Sequence, residues 1–177
     1  MDDIDRMFRE YHPPVVRYLT RRLGDQDLAE ELAQETFVRA ARHLPLANAR
    51  AWLFSVATNL VRDEVKRDTR QRRHLEALRA EHAGSRAYEP ETTSLEQAQE
   101  RLHTQSLVRA AMDGLGERDR NALLLREEGL DYHEIAAALG LSVGSIGTTL
   151  SRAQCRLVNL YESLVRERAN KGGVDVA

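Results

Sequence analysis

The sequence contains very little that would permit cross-linking or membrane insertion. Cys155 is the only cysteine among 177 residues, which excludes an internal disulfide and a zinc site built from several cysteines. No stretch approaches the ~20 apolar residues that a membrane-spanning helix needs, and the acidic, amphipathic start MDDIDRMFREY does not resemble a signal peptide. Aromatic residues make up only 5% of the chain, and proline and glycine are sparse, a composition typical of a helical protein. We therefore expect a cytoplasmic protein without membrane insertion.

A large excess of either charge is also missing, as are the motifs of catalysis. The net charge is −2 although 31% of residues are charged, which argues against a protein that coats nucleic acid non-specifically. His133 and Glu134 begin a sequence like the metalloprotease motif HExxH, but Ala137 stands where the second zinc ligand would be. The chain has neither a Gly-rich phosphate loop nor a nucleophile elbow. We predict a protein that is not an enzyme and holds neither a metal nor a cofactor.

Apolar residues recur at steps of three and four along most of the chain, which predicts an all-α fold of two small helical domains joined by a linker. The predicted parts are residues 1–78, an acidic linker at 79–104, a second domain at 105–165, and a disordered tail at 166–177. Residues 61–80 hold seven Lys or Arg against four Asp or Glu, whereas residues 81–106 hold two against five. The His12-Pro13-Pro14 step is expected to kink or divide the first helix, because proline lacks the amide donor.

The segment LDYHEIAAALGLSVGSIGTTLSRAQCRL, residues 130–157, has the pattern of a helix-turn-helix. Ala136 is small enough for two helices to cross closely, Gly140 permits the turn, and Ser142 can cap the second helix. That helix carries no charge from Val143 to Ser151, so it gains little from counterion release and would bind DNA weakly alone. The alternative is an ordinary αα-hairpin.

Two further helical segments have polar faces. DLAEELAQETFVRAARHL, residues 27–44, has an acidic outer face, which is either a solvated surface or a docking face for a basic partner. RAWLFSVATNLVRDEVKRDTRQRR, residues 50–73, has a polar and partly basic side. Basic groups beside an aromatic ring suit an unpaired nucleic-acid strand, and Trp52 is the candidate ring unless it packs in the core. Otherwise these arginines form a solvated helix end, favoured by the helix dipole.

In this order and spacing, the three segments resemble the bacterial sigma factors of RNA polymerase, specifically the extracytoplasmic-function (group four) family. AEELAQETFVRAARHL resembles the region-two helix that docks on the clamp helices of the polymerase β′ subunit. RAWLFSVATNLVRDEVKR resembles the next helix, which handles the minus-ten element and strand opening. GLGERDRNALLLREEGLDYHEIAAALGLSVGSIGTTLSRAQCRL resembles region four, which reads the minus-thirty-five element and contacts the β flap. The resemblance implies a subunit of core RNA polymerase that selects promoter DNA and is controlled by an anti-sigma factor.

The resemblance assigns three surfaces by position. The acidic face, which would dock on core polymerase, comprises Asp27, Glu30, Glu31, Gln34 and Glu35. The promoter face, which would meet the minus-ten element, comprises Asn48, Arg50, Trp52, Asn59, Arg62, Asp63, Lys66 and Arg67. The reading face, which would meet the minus-thirty-five element, comprises Ser142, Ser145, Gly147, Thr148, Thr149, Ser151, Arg152 and Arg156.

The chain departs from the family at two places. Many members have Lys or Arg where this chain has Gly147, Thr149 and Gln154. The loop from Pro45 to Ala49, which would lie where the family captures a flipped-out minus-ten base, is shorter than in many members. The resemblance therefore implies no particular promoter sequence.

Two other functions stay open from the residues alone. A free-standing helix-turn-helix regulator would need a self-complementary apolar face on its first domain, and the strongest surface feature there is acidic instead. A sigma-like decoy would dock on its partner without selecting a promoter.

Overall fold

The computed structural model describes residues 3–78 and 95–172, and all regular structure in those ranges is helical. The helices are α1 (Asp3–Leu23), α2 (Gln26–Ala41), α3 (Ala49–Leu78), α4 (Leu95–Asp113), α5 (Glu117–Glu127), α6 (Tyr132–Leu139) and α7 (Val143–Gly172). Helices α1–α3 pack together as an N-terminal bundle, and α4–α7 as a C-terminal bundle. The all-α prediction is confirmed. Within the described ranges, no helix is both long and apolar enough to span a bilayer.

Helix α1 is continuous across the two prolines, so of the predicted kink or division the division is wrong. Pro13 and Pro14 lie inside the helix, and the next residue, Val15, is fully buried together with Leu19. An internal proline costs about 3 kcal/mol. Burying an aliphatic side chain contributes about 1.5–3 kcal/mol, so packing against the neighbouring helices offsets the lost hydrogen bonds.

A buried hydroxyl pair joins α1 to α3. The Thr58 hydroxyl donates to the Phe54 carbonyl at 2.7 Å, and the Tyr18 hydroxyl lies 2.9 Å from the Thr58 oxygen. Since Thr58 has already used its only hydroxyl proton, Tyr18 donates to it. Removal from water raises the pKa of Tyr18 to about 12, which keeps this donor protonated.

The turn between α1 and α2 combines a left-handed glycine with a helix cap. Gly24 has φ of 74°, and the carboxylate of Asp25 accepts from the Leu28 amide at 3.0 Å. Asp25 is therefore the N-cap of α2. The Arg109 guanidinium lies so close that a Cβ on Gly24 would stand 2.5 Å from its Nη2. The end of the Arg109 side chain could move aside, so the left-handed backbone is what disfavours a side chain at position 24.

Helices α6 and α7 form the predicted helix-turn-helix. Asp131 caps α6 because its carboxylate accepts from the Glu134 amide at 2.8 Å. In the reciprocal hydrogen bond, the Glu134 carboxylate accepts from the Asp131 amide at 2.9 Å. Gly140 ends α6 with φ of 65°, the left-handed conformation that its place in the pattern predicts. Ala136 is 3% exposed, and Ile146 of α7 is fully buried, which allows the close crossing.

Two boundaries differ from the sequence prediction. Helix α4 begins at Leu95, inside the predicted linker, because its Glu, Gln and Ala residues favour helix without an apolar stripe. Helix α7 continues to Gly172, into the predicted disordered tail, and Arg166 contacts Glu162 at 2.8 Å within it. The predicted linker residues 79–94 and the residues after 172 lie outside the described ranges.

The two bundles contact each other through α3 against α6 and α1 against α5. The contact brings the start of α3, which holds part of the promoter face, beside the turn that precedes α6. The sequence made no prediction about this arrangement.

Candidate protein and nucleic-acid interfaces

The acidic face lies on the outer side of α2. Asp27, Glu31 and Gln34 are exposed, at intervals of four and three residues, whereas Leu32 and Phe37 of the same helix are buried against the N-terminal bundle. The helical period alone produces this separation. The structure therefore places three of the five predicted docking residues where a partner can reach them directly.

The other two carboxylates of the acidic face are partly buried and already paired. Glu30 lies 3.5 Å from His12 Nε2, and Glu35 accepts from Arg39 Nε at 2.7 Å. Among the described residues, no ion pair involves Glu31. The same holds for Asp27, so the negative charges of Asp27 and Glu31 are the most available on this face for a basic partner.

Exposed apolar side chains adjoin the acidic face, and the sequence reasoning missed them. Val38 lies one turn beyond Gln34 and is 46% exposed. Phe8 is 40% exposed and stacks on His12 with ring centroids 4.3 Å apart. The spacing from Gln34 to Val38 was the available signal, because residues four apart share a helix face. This surface can offer both charge and apolar area to a partner.

Asn48, which the resemblance assigned to the promoter face, caps the beginning of α3. Asn48 Oδ1 accepts from the Ala51 amide at 2.9 Å, which satisfies one of the free amides at the helix start. Trp52 packs against the core with part of its surface exposed, and its ring lies 5.4 Å from that of His43. Trp52 therefore has the core role that the sequence allowed, with part of its side chain exposed to solvent.

Farther along α3, the promoter face is open to solvent. Its exposed members are Asn59, Asp63, Lys66 and Arg67. Arg67 approaches Glu64 at 3.8 Å, an exposed pair of the kind that contributes at most about 1 kcal/mol. These side chains can reorient towards a nucleic-acid strand at little cost.

Two arginines of the promoter face instead contact the C-terminal bundle. Arg50 donates to the carbonyl of Glu128 and lies 3.8 Å from the Glu134 carboxylate. Arg62 lies 3.6 Å from Glu117. In this arrangement, both guanidinium groups are partly withheld from DNA.

On α7, some hydroxyls of the reading face already donate hydrogen bonds to the helix backbone, whereas other side chains are exposed to solvent. Ser145 donates its hydroxyl to the Ser142 carbonyl at 2.7 Å, and Thr149 donates to the Ser145 carbonyl at 2.8 Å. Both hydroxyls have thereby used their protons and can only accept from a base edge. The exposed members of the reading face with side-chain hydrogen-bond groups are Ser142, Thr148, Ser151, Arg152 and Arg156.

Arg156 has a structural partner that the sequence reasoning missed. Its guanidinium donates to the carboxylate of Asp119, whose side chain is 10% exposed. Asp119 lies in the first turn of α5, where the helix dipole favours a carboxylate. Arg156 thus joins α7 to α5, and a DNA contact by it would require this pair to break or share its donors.

An aromatic ring completes the surface around Gly147. A Cβ on Gly147 would stand 3.6 Å from Tyr132 Cε2, and the Tyr132 ring, 43% exposed, has the Arg126 guanidinium 5.5 Å from its centroid. Gly147 itself contributes no side chain, so the accessible group beside it is the Tyr132 ring of the preceding helix. Among the described residues, no cluster of His, Cys, Asp and Glu side chains could hold a metal ion.

Comparisons with known proteins match both bundles. Residues 7–71 match the family described as Sigma-70 region 2, and residues 105–154 match the family described as Sigma-70, region 4. The RNA polymerase sigma factor YlaC of Bacillus subtilis (strain 168) is 31% identical over 173 residues, covering 94% of this chain and 97% of that protein. The ECF RNA polymerase sigma factor SigE of Mycolicibacterium smegmatis is 33% identical over 89% of this chain and 61% of that protein.

The fold is also shared with a solved structure, that of the sigma factor RpoE from Bartonella quintana in complex with the anti-sigma factor NepR. The TM-score is 0.62 at 24% identity, and the match covers 92% of this chain and 98% of that chain.

Proposed function

The chain belongs to the sigma-70 family of RNA polymerase sigma factors, in its extracytoplasmic-function group, and we propose that it binds core RNA polymerase and directs promoter-specific transcription initiation. One observation carries the proposal. Both sigma regions are present in one chain, and each presents an accessible surface, with Glu31 exposed on α2 and Arg152 exposed on α7.

Each surface has a distinct role in this proposal. The acidic face of α2, with Val38 beside it, docks on the clamp helices of the β′ subunit. The promoter face of α3 contacts the minus-ten element during strand opening. The reading face of α7 contacts the minus-thirty-five element, and the C-terminal bundle rests on the β flap. The N-terminal and C-terminal bundles are thus the two functional domains.

The sparse charge of the reading face suits a subunit that acts only within a holoenzyme. A single small DNA-binding module buries roughly 600–1,000 Å² on DNA, and this one offers few basic groups to phosphates. Tethering by polymerase raises its effective concentration at the promoter, so low intrinsic affinity is sufficient. The chain contributes specificity and no catalysis, and it works in the cytoplasm, where core polymerase and promoter DNA meet.

Control by an anti-sigma factor is part of the same proposal. The structural relative from Bartonella quintana was solved with an anti-sigma factor bound. A protein that covers the acidic face would block docking on core polymerase, which makes this face the expected target of such a regulator.

Reconstitution with purified core polymerase tests the function. We expect the chain to co-elute with core enzyme in gel filtration, and the mixture to start transcription at defined sites on a genomic fragment library. Core enzyme alone is the control. Absence of co-elution would contradict the proposal.

The same experiment separates the two alternatives. Co-elution without defined start sites would indicate a decoy. Binding of a dimer to a two-fold DNA site, without any need for polymerase, would indicate a free-standing regulator.

A further inference from the structure

His12 of α1 is in contact with two aromatic rings and one carboxylate. Its imidazole stacks on the Phe8 ring with centroids 4.3 Å apart, and it lies 5.7 Å from the ring of Phe37 on α2. Its Nε2 is 3.5 Å from the Glu30 carboxylate, and its side chain is 21% exposed, so solvent protons can reach it. The two rings fix the imidazole beside Glu30 through contacts that do not require it to be charged.

The charged groups around this imidazole come from α1 and α2. On α1, Arg9 and Asp5 stand three and seven residues earlier on the same side of the helix, and both are exposed. On α2, Glu30 is the carboxylate in contact with it, and no described residue of α3 forms an ion pair with His12. Since the charges of Arg9 and Asp5 are opposite and solvated, Glu30 responds most directly to the charge of His12.

The charge of His12 decides how much negative charge the acidic face offers. Glu35 is compensated by an arginine of its own helix, so Asp27, Glu30 and Glu31 are the carboxylates available while His12 is neutral. Protonated His12 compensates Glu30 as well, and two of the three carboxylates then remain. An unperturbed imidazole gains its charge between pH 8 and pH 5. The attraction of this face for a basic partner therefore weakens as the pH falls.

The imidazole also adjoins the exposed apolar part of the same surface. Phe8 is 40% exposed, and its ring meets that of Phe37 edge to face, with centroids 4.9 Å apart. A partner that covers both Phe8 and Glu30 therefore covers His12, which contacts both. Water excluded from this contact no longer screens the charges, so each charge on the imidazole or the carboxylate has a larger effect on binding.

We propose that His12 makes docking on the acidic face dependent on pH. Neutral His12 leaves Glu30 free to pair with a basic partner, whereas protonated His12 pairs with Glu30 itself. The inference rests on the proposed function, because it takes core polymerase as that partner. Core binding is then tightest above neutral pH and becomes weaker in acid.

Fluorescence anisotropy of core binding at two pH values tests this role. The label is carried by Cys155, the only cysteine, which is exposed on α7 and not on the acidic face. The parent and His12→Gln are each titrated with core polymerase at about pH 8 and about pH 5.5, at equal ionic strength. Division by the Kd of His12→Gln removes the titration of the polymerase itself. We expect the parent-to-variant ratio to rise about threefold in acid, because an exposed charge contact changes affinity by up to about fivefold.

Two further variants bracket the result. His12→Arg carries a permanent charge at the same position, and we expect it to bind core about threefold more weakly than His12→Gln at both pH values. The parent should therefore behave like His12→Gln near pH 8 and approach His12→Arg near pH 5.5. His133→Gln is the matched control, because His133 is exposed on α6 and lies outside the acidic face. Its affinity should follow that of the parent at both pH values.

Failure of this inference can be told apart from failure of the proposed function. Absence of core binding by the parent at both pH values would contradict the function and the inference together. Binding with the same parent-to-variant ratio at both pH values would overturn the role of His12 alone. Equal affinities of His12→Arg and His12→Gln would also overturn it, since the charge at position 12 would then have no effect on docking. Circular dichroism melting of both variants checks that they are folded at each pH.

Discussion

Arg152 and Arg156 lie one turn apart on α7, and the structure predicts opposite consequences for their removal. Arg152 is exposed on the reading face, whereas Arg156 is bound to Asp119 of α5. Arg152→Ala should reduce discrimination at the minus-thirty-five element by about 1–3 kcal/mol if the side chain binds a guanine edge in bidentate fashion. That range corresponds to roughly 5- to 150-fold in relative affinity. The folded state should be unaffected, because an exposed side chain is lost.

Arg156→Ala should act on stability instead. The side chain of Arg156 is 63% exposed and its charge is mostly solvated, but that of its partner Asp119 is only 10% exposed. The cost therefore comes from a buried carboxylate that loses its donor, about 1 kcal/mol at the low end of the usual range. In a chain of this size, 1 kcal/mol lowers Tm by about 2–4 °C.

Two assays distinguish the arginines. Holoenzyme carrying each variant is titrated with promoters that differ by single bases in the upstream element, and each free variant is melted by circular dichroism. A double-mutant cycle with Asp119→Ala should return a coupling of at least about 0.5 kcal/mol with Arg156 and none with Arg152. The reasoning fails if Arg156→Ala melts like the parent while changing base preference. A loss by Arg152→Ala that is equal for all sequences would mark a phosphate contact.

Further predictions address docking, titration and the helix-turn-helix. Glu31→Lys should weaken core binding by about 1–2 kcal/mol through like-charge contact, measured by fluorescence anisotropy, whereas Glu162→Lys, an equal charge change on α7, should not. The pKa of Tyr18 is raised to about 12 in the folded protein. As the pH rises, the Tyr18 hydroxyl therefore loses its proton in the unfolded state before it does in the folded state. About 3 kcal/mol of stability should disappear between pH 10 and 12, and urea unfolding of Tyr18→Phe should lack that slope. Gly140→Ala should destabilise by about 1–2 kcal/mol because φ is 65°. Gly144→Ala, with open space in a helix, should stabilise by about 0.5–1 kcal/mol. A stabilising Gly140→Ala or a destabilising Gly144→Ala would contradict the corresponding expectation.

The helix-turn-helix was predictable because its determinants are local. Gly140 and Ser142 lie within three residues of each other, and the apolar positions Ile135 and Ile146 follow the helical period. Each of these features acts through backbone conformation or through burial on one side of a helix, so a short window of sequence contains the information. The exposed side of α2 was predictable for the same reason.

Contacts between distant residues were not predictable in this way. Arg17 and Glu128 are 111 positions apart, and Arg156 and Asp119 are 37 apart. A solvated arginine and a paired one look the same in sequence, because the pairing depends on where the tertiary fold brings the partner. The continuity of α1 through Pro13 has a related cause, since packing rather than local propensity decides it.

Helix α7 joins the reading residues and the distal residue Val165 in one continuous helix. Its 30 residues correspond to about 45 Å at 1.5 Å per residue, with the reading residues near one end and the exposed Val165 near the other. The ion pair between Arg156 and Asp119 attaches α7 to α5 near the middle of α7. Because α7 is continuous and also packs against α4 and α6, the reading residues and Val165 lie on one rigid element. Under the proposed function, a movement of the reading end on DNA would therefore also displace the distal end.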